Sequence, residues 1–554
     1  MQDRFSPTGE PDFVACRPPF SFYHFIEHYS QPTEPPRTLH RVFSLMRKMN
    51  VRTVVVEILA RKGELDREAN AVEKRSKGPV KYEAWRFSFF ACPVTHDLLL
   101  HVDDEDYLGY GIFIKLKLPN ETYSCYVYES VISEPAFHTR GSLPFGGSLP
   151  SHYIHCVRRY SGWIGERRFI LSGSFFSQQN GLTHVCAHAA LRWLLNNVPE
   201  RPEEIVSYED INRDLQIDHI TRTVGRYPEH IEAEGLPMDD LLRVLDIRGH
   251  KYKELDLERP RGTRLPYWRF IYSIIESGYP VLIFFTATRA RHVVCAIGHT
   301  FNSDIWDAEA ELAYSGAPGM AYLSSSSWVD HFIIHDDNYG MYFCMPCKAL
   351  SPTTTPGGPF QVTGALGIVP TQIELSPVMA EFYAYAAVRK AVYEAPLKDC
   401  YWLRSLRQEE AAFRKWVVLR TLFTSKADYE RHLCDMEDVE GNVLTKREIE
   451  CIIHERVPEH FWITEVTLTD IYSANKRKLG EVLLRLSDPG IKPEDKGLLY
   501  TMKLFSACVA IRLPGNILIP EPSEKRISIM LRKTNLTGHV PLLRAYRPAP
   551  PLEW

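Results

Sequence analysis

Residues 178–197 read QQNGLTHVCAHAALRWLLNN, and this stretch says most about the chain. From Cys186 to Asn197, small and apolar side chains recur at the three- and four-residue spacing of one helical face, which predicts a helix packed against the rest of its domain. Cys186 lies in the first turn of that helix, where unpaired N–H groups and the helix dipole favour a thiolate. The pattern indicates a nucleophilic cysteine; the competing interpretation is a buried structural cysteine.

Two glutamines precede this cysteine, Gln178 by eight residues and Gln179 by seven. A side-chain amide near the start of the helix can donate a hydrogen bond to a developing oxyanion, together with the first backbone N–H groups. Either glutamine is therefore a candidate for an oxyanion hole.

Two strands later in the chain carry the base and the acid that a thiolate nucleophile needs. An apolar strand begins at His292, whose imidazole can take the thiol proton and return it to a leaving group. Another apolar strand ends in Asp336 and Asp337, and a carboxylate there can orient the imidazole. Because strand side chains alternate between faces, we expect only one of these two aspartates to do so.

Residues of about 150–350 resemble the papain-like cysteine peptidases, and they are most similar to the bacterial branch that includes the leader-cleaving peptidases of peptide exporters. The resemblance is carried by residues 178–186, 234–245, 274–283, 292–299 and 332–336. It implies an α+β fold in which the helix bearing the nucleophile packs on an antiparallel sheet.

The same resemblance implies roles for individual residues. Cys186 is the nucleophile, His292 the general base and Asp336 the orienting acid, while Gln178 or Gln179 serves the oxyanion hole. The family usually has its glutamine six residues before the cysteine, so this chain departs from the pattern by one or two residues. It also departs in the residues beside the cysteine, Val185 and Ala187.

The function implied is hydrolysis of a peptide or isopeptide bond through an acyl-enzyme, with a protein or peptide as substrate and no cofactor. Two alternatives use the same fold: an acyltransferase of the transglutaminase type, and a catalytically silent binding or regulatory module. A third alternative is a zinc protein that uses His184 and His188. On a helix Cys186 points away from these two histidines, so the three side chains cannot share one ion.

A second cysteine pair, Cys344 and Cys347, has the two-residue spacing of redox and metal sites. It follows a strand, contains a proline and has no second pair nearby. A structural role is the favoured interpretation, and no metal site is predicted for the chain.

Composition narrows the class of protein. The 554 residues carry a formal net charge of −4 with 24% charged and 45% hydrophobic residues, which is ordinary for a soluble protein and argues against a nucleic-acid partner. We find no secretory signal and no window apolar enough for a membrane span. The 12 cysteines lack dense local spacing, which predicts reduced thiols and a cytoplasmic protein.

The expected organisation is a papain-like domain between two mixed α/β modules. The segment at 64–77 is crowded with charge and predicts a solvated loop or helix face. A run of prolines and glycines after residue 350 marks the clearest boundary. The predicted divisions are a proline-rich segment 1–35, an N-terminal module 36–150, the peptidase domain 151–350, a linker 351–360 and a C-terminal module 361–554.

Overall fold

A computed structural model gives the fold of the chain. It describes residues 3–541 except 135–150, 184–185, 199–204, 218–235, 258–266, 288–289, 302–321, 348–349, 353–359, 398–399, 409–412, 414–415, 435–443, 454–456, 470, 473–476, 488–505, 523–526 and 534–539. Most of the predicted linker therefore lies outside the described residues, as does His184.

The helices, in chain order, are α1 (Phe22–Ser30), α2 (Arg37–Lys48), α3 (Glu64–Ser76), α4 (Cys186–Asn196), α5 (Tyr208–Leu215), α6 (Met238–Ile247), α7 (Tyr267–Glu276), α8 (Pro377–Glu394), α9 (Tyr401–Gln408), α10 (Lys426–Cys434) and α11 (Lys446–Ile453). The strands are β1 (Asp12–Ala15), β2 (Thr53–Ile58), β3 (Lys81–Phe90), β4 (Tyr107–Lys117), β5 (Tyr123–Ser133), β6 (Ser151–Ile154), β7 (Arg158–Ile164), β8 (Arg167–Phe176), β9 (Lys251–Asp256), β10 (Val281–Ala287), β11 (Ala290–Phe301), β12 (Leu323–Ser324), β13 (His331–Asp336), β14 (Gly340–Pro346), β15 (Leu350–Pro352), β16 (Phe360–Val369), β17 (Val417–Ser425), β18 (His460–Leu468), β19 (Arg477–Lys478), β20 (Gly480–Leu484), β21 (Cys508–Leu513), β22 (Asn516–Pro522), β23 (Ile527–Lys533) and β24 (Val540–Pro541).

The first sheet has seven strands in the order β1-β2-β3-β4-β5-β8-β7, and its neighbours pair antiparallel. It crosses the predicted boundary at residue 150, because β7 and β8 come from the section predicted as peptidase domain. The proline-rich segment 1–35 contributes β1 to this sheet and also forms α1.

Helix α3 corrects one prediction about the charged segment 64–77. The segment is a helix, but Glu68 is buried and only 10% of the Glu64 side chain is exposed. Both acids face inward because partners distant in sequence meet them there: Tyr126 donates a hydrogen bond to Glu68, and Arg4 donates one to Glu64. A local charge pattern cannot reveal such partners.

The second sheet contains the strands around the candidate site. Its main path is β14-β13-β11-β10-β16-β15, with β6 added beside β11 and β9 beside β16. All of its pairs are antiparallel except β15 with β16. Since β16 (Phe360–Val369) follows the predicted linker and pairs with β10, the sheet also extends across the boundary predicted at 351–360.

The third sheet belongs to the C-terminal part of the chain and has the order β12-β17-β18-β20-β21-β22-β23. Helix α8 packs on it, and α7 lies between it and the second sheet through contacts with β11, β16 and β17. A two-stranded pair, β19 with β24, is separate.

The fold class is α+β, as predicted: antiparallel pairing dominates the sheets, and helices pack against them. The predicted helix at the cysteine forms as α4 and packs on β11, β10 and β13 of the second sheet and on β8 of the first. Across the described ranges, no helix combines the length and apolar character needed to span a bilayer.

Candidate active site

Helix α4 places Cys186 at its first position, with the side chain partly exposed. The rest of the helix is buried, and the small side chains of Ala187, Ala189 and Ala190 let its backbone approach the sheet closely. The thiol thus lies at the positive end of an 11-residue helix. Of the thiols that the structure describes, this one has the setting of a nucleophile.

The loop before α4 is held by the N-terminal part of the chain. The Asn180 side chain accepts hydrogen bonds from the backbone N–H groups of Leu182 and Thr183, both at 2.8 Å. The same side chain donates to Glu68 of α3 at 2.8 Å. The sequence analysis missed this support, since nothing near residue 68 signals a partner at residue 180.

Arg192 ties the middle of α4 to the first sheet. Its guanidinium is fully buried and donates to Glu129 at 2.8 Å, with Glu64 at 3.4 Å. It also lies over the rings of Tyr128 and Tyr208, at 4.9 and 4.6 Å from their centroids. A buried arginine requires such partners, so the position of the nucleophile helix depends on the N-terminal sheet.

His292 lies near the start of β11, where it pairs with Phe285 of β10 and contacts the edge of that ring. Its Nε2 is 3.2 Å from Asp336 Oδ2, and the Cys186 thiol lies close enough to the ring to contribute to its raised pKa. His292 therefore interacts with both of the other residues predicted as a triad.

The electrostatics of this contact favour a protonated imidazole. Burial opposes the charge, but the hydrogen bonds with Asp336 and Cys186 and the charges of Asp336 and Asp337 outweigh it and raise the pKa of His292 to about 10. At neutral pH the site therefore holds an imidazolium beside the thiol.

Asp336 is fixed by the turn that follows β13. Its Oδ1 accepts the backbone N–H groups of Asn338 at 2.7 Å and Tyr339 at 3.2 Å, which leaves Oδ2 for His292. Such a turn is a common conformation for aspartate followed by asparagine. The carboxylate is thus held in one orientation before any substrate binds.

Asp337 also lies beside His292, contrary to the expectation from strand alternation. The register of β13 with β14 shifts between Ile334 and Asp336, and the strand ends at Asp336, so both carboxylates reach the same ring. Asp337 Oδ1 is 3.5 Å from His292 Nε2, and its side chain is fully buried. Burial raises the pKa of Asp337 to about 6; the charge of Asp336 adds to the shift and that of His292 opposes it.

The two glutamines differ in their surroundings. The side-chain oxygen of Gln178 accepts hydrogen bonds from the Thr38 hydroxyl at 2.5 Å and the Val127 N–H at 3.0 Å, which fixes the direction of its amide N–H group. Gln179 is half-buried, and its side chain makes no hydrogen bond to another described residue. Both therefore keep an amide donor that no described residue uses.

Three further residues considered as metal ligands in the sequence analysis, His188, Cys344 and Cys347, also lie within the described residues. His188 is buried on α4 with its Nε2 3.2 Å from the Asn212 side chain of α5. Cys344 is exposed on β14, and Cys347 follows that strand. Within the described ranges, two other groups bring potential ligand atoms within 4.8 Å of one another: His292 with Asp336 and Asp337, and a buried set of His155, Glu276 and His299.

Comparisons of the chain with protein-family models, curated proteins and solved structures found no match.

Proposed function

We propose that the chain is a papain-like cysteine peptidase that hydrolyses a peptide or isopeptide bond through an acyl-enzyme. The observation that carries the proposal is the position of His292, which is hydrogen-bonded to Asp336 and interacts with the Cys186 thiol. These residues come from a helix, the start of one strand and the end of another, which is the arrangement that the resemblance implies.

Each residue has a chemical role in this mechanism. The Cys186 sulfur attacks the carbonyl carbon, and the oxyanion that forms accepts hydrogen bonds from N–H groups at the start of α4 and from Gln178 or Gln179. The His292 imidazolium gives its proton to the leaving amine. It then takes a proton from the water that hydrolyses the acyl-enzyme, while Asp336 holds the ring in place.

The surroundings of the thiol agree with this chemistry. Cys186 lies at a helix N-terminus and beside the His292 imidazolium, and its side chain is partly exposed. The described residues contain no disulfide. Reduced thiols are typical of a reducing compartment, and we propose a cytoplasmic location on that basis.

The experiment compares the full-length protein with its Cys186→Ala variant on a mixture of unfolded proteins. Mass spectrometry of new amino termini reads cleavage, and Cys344→Ala serves as a matched control because that thiol is exposed and remote from His292 in the chain. We expect new termini with the unaltered protein and the control, and none with Cys186→Ala. New amide cross-links in place of new termini would assign acyl transfer instead, and no product with any variant would favour a silent binding module.

A further inference from the structure

A second polar cluster lies buried at the other end of β11, between the second and third sheets. His155 follows β6, Glu276 ends α7 and His299 lies on β11, and all three are buried. Glu276 Oε2 is 3.1 Å from His155 Nε2 and 2.6 Å from His299 Nε2. One carboxylate oxygen thus has two imidazole nitrogens directed at it.

The distances are close to those of a metal centre. In a tetrahedral zinc site with bonds near 2.0–2.1 Å, neighbouring ligand atoms are about 3.3 Å apart. The 3.1 Å separation of His155 Nε2 and Glu276 Oε2 already fits this spacing. The 2.6 Å separation of His299 Nε2 and Glu276 Oε2 must increase by about 0.7 Å to reach it.

The outer contacts of the cluster also have the form expected around a metal. His299 Nδ1 is 3.0 Å from the Thr300 carbonyl oxygen and donates to it, so Nε2 is the ring nitrogen that faces Glu276. The other carboxylate oxygen, Glu276 Oε1, accepts a hydrogen bond from Arg420 at 2.6 Å. Histidine and carboxylate ligands are commonly held in this way by a carbonyl group and a second hydrogen bond.

Two buried hydroxyl groups beside the cluster lack a partner of normal geometry. The Tyr272 and Ser325 hydroxyls are buried close to each other, and neither forms a hydrogen bond of normal geometry with a described residue. Tyr272 lies on α7 one turn before Glu276, and its ring centroid is 5.1 Å from that of His299. A bound water is a group that would satisfy these hydroxyls.

We propose that His155 Nε2, Glu276 Oε2 and His299 Nε2 bind a divalent transition-metal ion of the zinc class, with a water as the fourth ligand. Two imidazoles and one carboxylate are ligands that zinc accepts, and the tetrahedral set is completed by that water. The ion takes the place of the proton between His299 and Glu276, so binding releases protons. It joins β6, α7 and β11 at the face where β17 packs, and its role is structural.

The test uses the full-length Cys186→Ala protein, so that the candidate nucleophile does not bind the metal. The protein is dialysed against a chelator and then against zinc chloride, and bound zinc is measured by mass spectrometry. We expect about one zinc ion per chain, a rise in Tm on adding zinc, and at least a tenfold loss of affinity in His155→Gln and in His299→Gln. His331→Gln, also on the second sheet but outside the cluster, is the matched control and should bind like the parent.

Cobalt(II) bound to the parent protein gives a second readout that needs no substitution in the cluster. Visible bands of a tetrahedral site without a sulfur charge-transfer band agree with the proposed ligands. A sulfur band, zinc binding equal in His299→Gln and the parent, or no retained zinc would each overturn the proposal. The last result would leave the cluster as a hydrogen-bonded imidazolium and carboxylate.

Discussion

His292 interacts with both carboxylates, but the two differ in how they are held. Asp336 has one oxygen fixed by two backbone N–H groups and the other on His292 Nε2. Asp337 lies 0.3 Å farther from the same nitrogen (3.5 against 3.2 Å), and its Oδ2 is buried without a hydrogen bond to a described residue. In the proposed mechanism, this difference favours Asp336 over Asp337 for the orienting role.

The assignment predicts unequal effects of two matched substitutions. We expect Asp336→Asn to lower kcat/KM by about 10²- to 10⁴-fold, because the ring loses its acceptor and its orientation. Asp337→Asn should stay within about tenfold of the parent, since Asp336 still holds the ring. Steady-state kinetics on one cleaved peptide measure both, and a larger loss for Asp337→Asn would reverse the assignment.

The raised pKa of His292 makes stability depend on pH. The pKa is about 10 in the folded protein and near 6.5 when unfolded, so the contribution of the protonated ring is complete below pH 6.5 and is lost as pH rises toward 10. We expect the free energy of unfolding of the parent to exceed that of His292→Gln by on the order of 4 kcal/mol at pH 6.5, and the gap to close by about pH 10. Urea unfolding at several pH values measures this, and a gap independent of pH would contradict the protonated state.

At the scale of single elements, the turn between β13 and β14 connects the site to α2. Gly340 has a φ of +106°, which a residue with a side chain adopts only with strain. A Cβ atom there would lie 2.8 Å from Cβ and Cγ of Arg41. Arg41 in turn donates hydrogen bonds to the carbonyl groups of Met341 and Tyr342.

Gly340→Ala is therefore expected to cost about 1–3 kcal/mol of stability and to lower activity, because the turn that holds Asp336 must shift. Gly9→Ala is the control, since no atom lies within 4 Å of its Cβ position. Thermal unfolding and kcat/KM measure the two effects. Equal behaviour of the two variants would show that the turn does not position the acid.

Individual elements near the site were predictable because their signals are local. The spacing from Cys186 predicts α4, and the apolar runs at His292 and before Asp336 predict β11 and β13. The approach of Asp337 to His292 was not predictable, because it depends on a register shift in β13 that the alternation of side chains does not show.

At the scale of the whole molecule, a chain of buried charges joins the second and third sheets. Arg420 of β17 donates to Glu276 of α7 and to Glu465 of β18, and Lys478 lies between Glu465 and Glu481. All of these side chains are buried. Each charge is compensated by its neighbours, so removal of one leaves the adjacent buried charges with one partner fewer.

Arg420→Met is expected to destabilise the full chain by about 3–5 kcal/mol, because Glu276 and Glu465 both lose a partner. Arg431→Met is the control: its ion pair with Asp428 is exposed and contributes at most about 0.5 kcal/mol. Urea unfolding compares the two. A loss below 1 kcal/mol for Arg420→Met would mean that the carboxylates find other compensation.

The assembly of the sheets was the part that the sequence did not reveal. Strand β16, at the end of the predicted linker, and strand β9, between α6 and α7 in the chain, both join the second sheet. Strands β7 and β8, from the section predicted as peptidase domain, join the first sheet. Such pairings link residues far apart in sequence, and apolar periodicity carries no information about partners. The buried acids Glu64, Glu68 and Glu276 escaped prediction for the same reason, since their cationic and hydroxyl partners come from distant segments.

The most direct measurement of the central claim is the rate at which iodoacetamide alkylates Cys186 at neutral pH, followed by peptide mass spectrometry. If His292 and Asp336 activate this thiol, it reacts much faster than exposed Cys344 and Cys434, and His292→Ala reduces its rate to theirs. A rate for Cys186 that matches the other cysteines, and does not change in His292→Ala, would contradict the account.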